Sequence, residues 1–154
     1  MKIGIIGLGD MGKLYARTFS QAGLKVFGCD LPERKQALQE ELESHNINIL
    51  YSAKNVSETC DFIFYAVEAE KIAEVVALSG AYTKSGAIVT GMTSVKTPEV
   101  AAFEKYLPFD TEIILTHALH GPGFATKGQK LIVAPHRISL KNYQIALKIL
   151  QKLE

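Results

Sequence analysis

The sequence has no tryptophan, only two cysteines and almost no net charge. The 17 Lys and Arg residues against 16 Asp and Glu residues leave a formal charge of +1 at pH 7. No basic surface for a nucleic acid backbone is therefore expected. Cys29 and Cys60 lie at the apolar ends of segments that we expect to be buried. This placement favours free thiols in the core over a disulfide or a metal-binding pair.

Long hydrophobic runs are also absent, since no run reaches the length needed to span a membrane. The short first apolar run is followed by glycines instead of the cleavage site of a signal peptide. We therefore expect a soluble, cytoplasmic protein. The 154 residues, 47% hydrophobic and 21% charged, predict one globular domain over residues 1–154. The last helical segment runs up to Glu154 without a cap, which suggests a fragment of a longer protein.

Apolar, β-rich runs alternate along the chain with segments of helical period. The predicted strands are Lys2–Gly7, Lys25–Cys29, Ile47–Tyr51, Asp61–Val67, Ala87–Gly91, Glu112–Thr116 and Leu131–Ala134. The predicted helices are Met11–Ala22, Pro32–Ser44, Glu70–Ser79, Pro98–Tyr106 and Leu140–Leu153. Most of the strands are continuously hydrophobic, as in parallel sheets that helices cover on both faces. The pattern predicts an α/β fold with a doubly wound, mostly parallel sheet, which binds ligands beyond the carboxyl ends of its strands.

The stretch GIIGLGDMG puts Gly7, Gly9 and Gly12 between the first strand and the first helix. This is the context in which a G-x-G-x-x-G motif holds a dinucleotide diphosphate on backbone amides at a helix amino terminus. We therefore predict a Rossmann-like dinucleotide-binding domain. The residues predicted to form its phosphate-binding loop are Gly7, Leu8, Gly9, Asp10, Met11 and Gly12. A glycine-rich turn without a ligand is the less favoured alternative.

The choice between NAD and NADP stays open at the end of the second strand. Asp30 lies 18 residues after Gly12. This is close to the ~20 residues expected for the acid that binds a ribose 2′-hydroxyl, and it favours NAD. Arg34 and Lys35 follow closely, and a guanidinium there could bind the 2′-phosphate of NADP. Structural roles are alternatives, with Asp30 as a helix N-cap and the two cations on a solvated helix face.

Two segments, GMTSVK and THALHGPG, come after the fifth and sixth predicted strands and should lie on the ligand side of the sheet. A hydroxyl-oxidising dehydrogenase needs a group that accepts a proton at neutral pH, and histidine supplies it. His117 and His120 are therefore the candidates. The sequence has no H-x-x-x-H pair, cysteine cluster or paired carboxylates, so no metal site or hydrolase centre is predicted.

Several motifs together resemble the prephenate dehydrogenase family of tyrosine biosynthesis, especially its fungal-type, NADP-linked members. The resemblance covers essentially the whole chain. It rests on GIIGLGDMG, YAVE at Tyr65–Glu68, TSVK at Thr93–Lys96, FEKYLP at Phe103–Pro108 and HALHGP at His117–Pro122. The TSVK and HALHGP pair at this spacing is far more specific than the glycine loop. Ala118 and Leu119, and Gly91 before TSVK, depart from the pattern of many members.

The resemblance implies oxidative decarboxylation of prephenate to 4-hydroxyphenylpyruvate, with hydride transfer to NADP or NAD. It implies that His117 receives the proton of the ring hydroxyl and that Ser94 forms a hydrogen bond near that hydroxyl and the nicotinamide. Val67 and Thr93 are expected to contact the cofactor. Lys96 is expected either to orient its loop or to meet a substrate carboxylate, unless it is a solvated lysine at a helix start.

Members of that family continue into a helical second domain that forms the dimer and supplies cations for the substrate carboxylates. This chain ends before such a domain, so we expect it to bind the cofactor but to have little activity alone. Two other hypotheses stay open. One is a dehydrogenase acting on arogenate or another small acid, or an imine reductase, on the same fold. The other is a dinucleotide-binding module without catalytic activity.

Overall fold

The computed structural model describes residues 1–153 as one mixed sheet covered by helices on both faces. Its strands are β1 (Lys2–Ile6), β2 (Lys25–Cys29), β3 (Ile47–Ile49), β4 (Phe62–Tyr65), β5 (Ile88–Gly91), β6 (Glu112–Ala118) and β7 (Leu131–Arg137). Its helices are α1 (Asp10–Gln21), α2 (Lys35–Leu42), α3 (Ala53–Thr59), α4 (Ile72–Ser79), α5 (Lys96–Tyr106) and α6 (Leu140–Leu150). The predicted domain over residues 1–154 includes Glu154, which lies outside the described residues.

The seven strands lie in the order β3-β2-β1-β4-β5-β6-β7. All neighbouring pairs are parallel except β6 and β7, which are antiparallel. The first six strands have the order of the Rossmann fold, whose direction of winding reverses between β1 and β4. The predicted doubly wound, mostly parallel α/β fold is therefore confirmed.

The core consists of two layers, one on each face of the sheet. Helices α1, α2 and α6 cover one face, where Tyr15 and Phe19 of α1 pack against Phe64 of β4. Helices α3, α4 and α5 cover the other face. The central strands are buried on both sides, which explains why their sequences are continuously apolar.

The two cysteines lie in the core, as the sequence predicts. Both thiols are free and buried. Burial raises the pKa of Cys29 and of Cys60 to about 12. They are packing residues whose thiolate forms are strongly disfavoured.

The structure corrects several predicted elements. Helix α3 lies in a segment for which no helix was predicted, and the predicted helix Pro32–Ser44 is divided, with 3₁₀ turns on both sides of α2. Strand β6 continues to Ala118, so His117 lies inside the strand and not after it. Among the described residues, no helix is both long and apolar enough to cross a membrane.

Candidate functional site

The carboxyl ends of four central strands form one row across the sheet. In this row Ile6 of β1 is in register with Cys29 of β2 and Tyr65 of β4, and Tyr65 is in register with Gly91 of β5. The chain segments that carry the predicted site residues leave the sheet directly beyond this row. The fold therefore brings the glycine loop, the segment after β2 and the segments after β4 and β5 to the same edge.

The glycine loop has three glycines with three different structural reasons. Gly7 has a φ of 97°, and a Cβ atom there would lie 2.5 Å from the carbonyl oxygen of Ala66. A Cβ atom on Gly12 would collide with the carbonyl oxygen of Gly7, so this glycine allows α1 to pack closely on the loop. A Cβ atom on Gly9 would meet nothing within 4 Å. The fold thus requires Gly7 and Gly12, whereas the space at Gly9 is open for a ligand.

The amino terminus of α1 fits an anion. Gly9 is the N-cap residue of α1 and has no side chain. No capping side chain therefore accepts a hydrogen bond from the first backbone amides of the helix. The amide of Leu8 already has a partner, because it donates to Oδ2 of Asp30 at 2.6 Å. The amides from Gly9 to Gly12, together with the positive end of the helix dipole, are therefore the groups that suit a diphosphate. Val67 borders this loop, because its Cγ1 atom lies 2.9 Å from the Cβ position of Gly7.

Asp30 and Arg34 form an ion pair beside the loop. The Arg34 Nη1 atom lies 2.8 Å from Oδ2 of Asp30, and its Nη2 atom donates to the carbonyl oxygen of Leu8 at 3.4 Å. Oδ1 of Asp30 accepts from the amide of Leu31 at 2.8 Å. Both carboxylate oxygens are thus already hydrogen-bonded, while the Arg34 side chain is 42% exposed. Leu31, not Asp30, is the residue that precedes the 3₁₀ turn at Pro32.

The TSVK segment after β5 is built around a buried carboxylate that the sequence analysis did not identify. Glu99 is 0% exposed and accepts from the amide of Thr93 at 3.2 Å and from its hydroxyl. The Lys96 ammonium donates to Glu99 Oε1 at 2.9 Å and to the carbonyl oxygen of Gly91 at 3.1 Å. Burial lowers the pKa of Lys96, although the Glu99 carboxylate acts in the opposite direction. These contacts show a lysine that orients its loop, and they turn the Thr93 hydroxyl inward, while Ser94 is exposed.

The two candidate histidines lie on opposite faces of the sheet. His117 is half-buried in β6 opposite Ile132 of β7. Because side chains alternate along a strand, it shares its face with Leu115, which packs on the α3–α4–α5 side. His120 instead stacks on Tyr15 of α1, with a distance of 6.4 Å between the ring centroids. It also lines a cavity of about 240 Å³ between α1, β7 and α6. Only His117 shares a face with the helix that follows Ser94.

No metal-binding group is evident at this edge: within residues 1–153, no three His, Cys, Asp or Glu side chains gather as they would around a metal ion. A second cavity, of about 440 Å³, lies between α1 and the loop after β6, where Lys13, Arg17 and Pro122 are among its lining residues. Neither cavity is lined by Gly7, Ser94 or His117. Asp10 of the glycine loop lines the second cavity and His120 lines the first. The crevice beyond the strand ends, where doubly wound sheets bind their ligands, is the candidate site.

Comparison with known proteins agrees with the fold. Residues 2–116 match the family model described as the NAD binding domain of 6-phosphogluconate dehydrogenase. The chain is 48% identical over 149 residues to a probable NADP(+) prephenate dehydrogenase of Schizosaccharomyces pombe, an alignment that covers 97% of this chain and 35% of that protein. It is 49% identical over 135 residues to the NADP(+) prephenate dehydrogenase of Saccharomyces cerevisiae, covering 88% of this chain and 30% of that protein. The chain thus spans about a third of the length of these curated relatives.

A solved structure shares the fold over nearly the whole chain. Prephenate dehydrogenase from Aquifex aeolicus, in complex with hydroxyphenyl propionate and NAD+, has a TM-score of 0.79 at 20% identity. The alignment covers 99% of this chain and 57% of that one. The matched family region runs from β1 into β6 and contains the glycine loop, Asp30 and Ser94. The chain therefore belongs to the family of NAD binding domains described for 6-phosphogluconate dehydrogenase, with NAD(P) as its cofactor.

Proposed function

We propose that this chain is the dinucleotide-binding part of an NADP-linked prephenate dehydrogenase. One observation carries the proposal: Ser94 follows the end of β5 and His117 lies near the end of the adjacent strand β6, in a chain 48% identical to a fungal protein named for that activity. Both fungal relatives are named as NADP(+) enzymes. The likeness to the Aquifex protein supports the fold alone.

In this proposal the chain's own residues bind the cofactor, orient the substrate and move one proton. The amides from Gly9 to Gly12 hold the diphosphate, and Ser94 hydrogen-bonds near the ring hydroxyl of prephenate. The His117 imidazole accepts the proton of that hydroxyl, a role for which histidine is the commonest side chain. Bound NADP would accept the hydride from the ring carbon. Loss of the ring carboxylate as CO2 then leaves an aromatic phenolate, to which the His117 imidazolium returns its proton to give 4-hydroxyphenylpyruvate. Aromatisation makes the step effectively irreversible.

The Asp30–Arg34 pair supports NADP over NAD. A carboxylate that is already paired with a guanidinium repels a 2′-phosphate less than a free carboxylate does. The exposed part of Arg34 offers further N–H donors to such a phosphate. The pair therefore replaces the free acid that would bind a ribose 2′-hydroxyl in an NAD-specific site.

The substrate's two carboxylates need additional cations. Lys96 and Arg34, which flank Ser94 and the glycine loop, are both already paired with carboxylates. A desolvated carboxylate without a partner is costly, so the proposal includes cationic side chains from a further, helical domain. On this basis the chain alone should bind NADP but turn over prephenate slowly.

The test measures NADPH formation from prephenate and from arogenate by the full-length protein that carries this domain, for wild type and for His117→Asn. The proposal predicts turnover of prephenate, and a decrease of about 10²–10⁴-fold in kcat for the variant with unchanged NADP affinity. Equal turnover by the variant would contradict the role of His117. A preference for arogenate would contradict the substrate, and the absence of any turnover would favour a binding module.

A further inference from the structure

Backbone pairing between β5, which precedes Ser94, and β6, which contains His117, ends before the site, and side chains connect the two strands there. Backbone pairing of β5 with β6 is confined to Ile88 with Glu112 and Val89 with Ile113. Beyond these pairs, the hydroxyls of Thr90 and Thr116 lie 3.1 Å apart and are buried. The two strands are therefore held together at the site by hydroxyl contacts in place of the backbone ladder.

The carbonyl oxygen of Gly91 joins this contact to the loop that carries Ser94. It accepts from the hydroxyl of Thr116 at 3.1 Å and from the ammonium of Lys96 at 3.1 Å. The Thr90 hydroxyl also lies 3.4 Å from this carbonyl oxygen, so either threonine can donate in the contact between the two hydroxyls. One carbonyl oxygen thus links the residue before His117 with the loop after β5.

Glu99, in the first turn of α5, completes this hydrogen-bond network. Its fully buried carboxylate accepts from Lys96 and from the amide and hydroxyl of Thr93, the neighbour of Ser94. A Cβ atom on residue 91 would collide with this carboxylate, so the glycine at that position is what allows Glu99 to lie there. Burial of a carboxylate is costly unless it is paired and hydrogen-bonded, and here it has three donors. The contacts of Glu99 are therefore hydrogen bonds that hold the TSVK segment in place.

We propose that Glu99 and Thr116 are positioning residues, which act through Lys96 and the Gly91 carbonyl to fix the Ser94 segment against the strand that carries His117. This inference rests on the proposed function, because it concerns the part of the site that receives the nicotinamide. The network lies on the β5–β6 side of the crevice, whereas Asp30 and Arg34 lie on the β2 side. It should therefore affect the nicotinamide half of the dinucleotide and not the adenylate half.

The test separates these halves by calorimetric titration with NADP and with adenosine 2′,5′-bisphosphate, which lacks the nicotinamide half. The variants are Glu99→Gln and Thr116→Val, with Thr116→Ser as the conservative variant that retains the hydroxyl. Thr111→Val is the matched control, because Thr111 is buried directly before the opposite end of β6 and its hydroxyl has no partner among residues 1–153. Thermal unfolding of each variant confirms that it is folded at the temperature of titration.

We expect Glu99→Gln and Thr116→Val to weaken NADP binding about tenfold, and adenosine 2′,5′-bisphosphate binding less than about twofold. Thr116→Ser and Thr111→Val should retain the wild-type ratio of the two affinities. Equal weakening of both ligands, or a lowered melting temperature with an unchanged ratio, would show a merely structural role and overturn the proposal. If the wild-type protein bound neither ligand, the proposed function itself would fail, and this inference with it.

Discussion

At the scale of single residues, the glycines of the loop differ in whether the fold or the ligand requires them. Gly7 and Gly12 are required by close backbone contacts that the chain makes with itself. Gly9 has an ordinary φ of −71° and open space around its Cβ position, so the fold does not require a glycine there. The reason for Gly9 lies outside the chain, in the close approach of an anion to the backbone.

This difference predicts opposite effects for two substitutions. Gly9→Val should leave the melting temperature close to that of wild type but weaken NADP binding by more than about tenfold, because the side chain occupies the diphosphate position. Gly12→Ala should lower the melting temperature, because its Cβ atom collides with the Gly7 carbonyl oxygen. Calorimetric titration and thermal unfolding measure the two effects. Unchanged NADP affinity in Gly9→Val would exclude this loop as the phosphate site.

The Asp30–Arg34 ion pair predicts the basis of cofactor choice. Arg34→Ala removes the guanidinium that neutralises Asp30, and the freed carboxylate should then repel a 2′-phosphate. We expect NADP affinity to fall about tenfold or more relative to NAD affinity. Lys54→Ala, which removes an exposed cation paired with Glu58 on α3, is the control and should leave the ratio unchanged. An unchanged ratio in Arg34→Ala would refute this explanation of cofactor choice.

At the scale of elements, the sequence predicts the long apolar strands and amphipathic helices but not the short or edge elements. Helix α3 has only seven residues, and Val56 is its one large apolar side chain, so it lacks helical periodicity. Strand β7 is partly exposed, and its antiparallel direction depends on pairing with β6, which local sequence does not specify. The extension of β6 past Thr116 follows from the same pairing, and it moves His117 from a predicted loop into the sheet.

The site shows the same division between local and tertiary information. The positions of the glycine loop and Asp30 at the strand ends are predictable because they depend on spacing within one βαβ unit. The burial of Glu99 is not predictable from its neighbours, since a glutamate on the first turn of a helix is ordinarily solvated. Gly91 is the one sequence feature that relates to this burial. Its role can be interpreted only from the structure, where the Glu99 carboxylate occupies the space that a side chain at position 91 would need.

Helix α3 does carry a capping signal, and this signal predicts a stability effect. The Ser52 hydroxyl accepts from the amide of Asn55 at 3.3 Å. Ser52→Ala should lower the free energy of unfolding by about 0.5–2 kcal/mol, whereas Ser52→Asp should retain most of it, because aspartate is an equally good N-cap. Urea unfolding followed by circular dichroism measures the change. Equal stability of Ser52→Ala and wild type would show that the cap contributes nothing.

At the scale of the whole molecule, two apolar layers fix the sheet, and the sheet aligns its strand ends into one edge. The ligand should therefore stabilise the folded state without reorganising it. At a free concentration of 100 times Kd, NADP should add about 2.7 kcal/mol to stability and raise Tm by about 5–10 °C. Gly9→Val should lose this increase while retaining the ligand-free Tm. An increase of equal size in wild type and variant would show that NADP binds elsewhere.

The most direct measurement is a crystal structure of the chain in complex with NADP. We predict that the diphosphate lies on the amides from Gly9 to Gly12, and that the nicotinamide lies between Ser94 and the ring of His117. A diphosphate bound away from the amino terminus of α1, or a nicotinamide on the His120 face of the sheet, would contradict the proposed site.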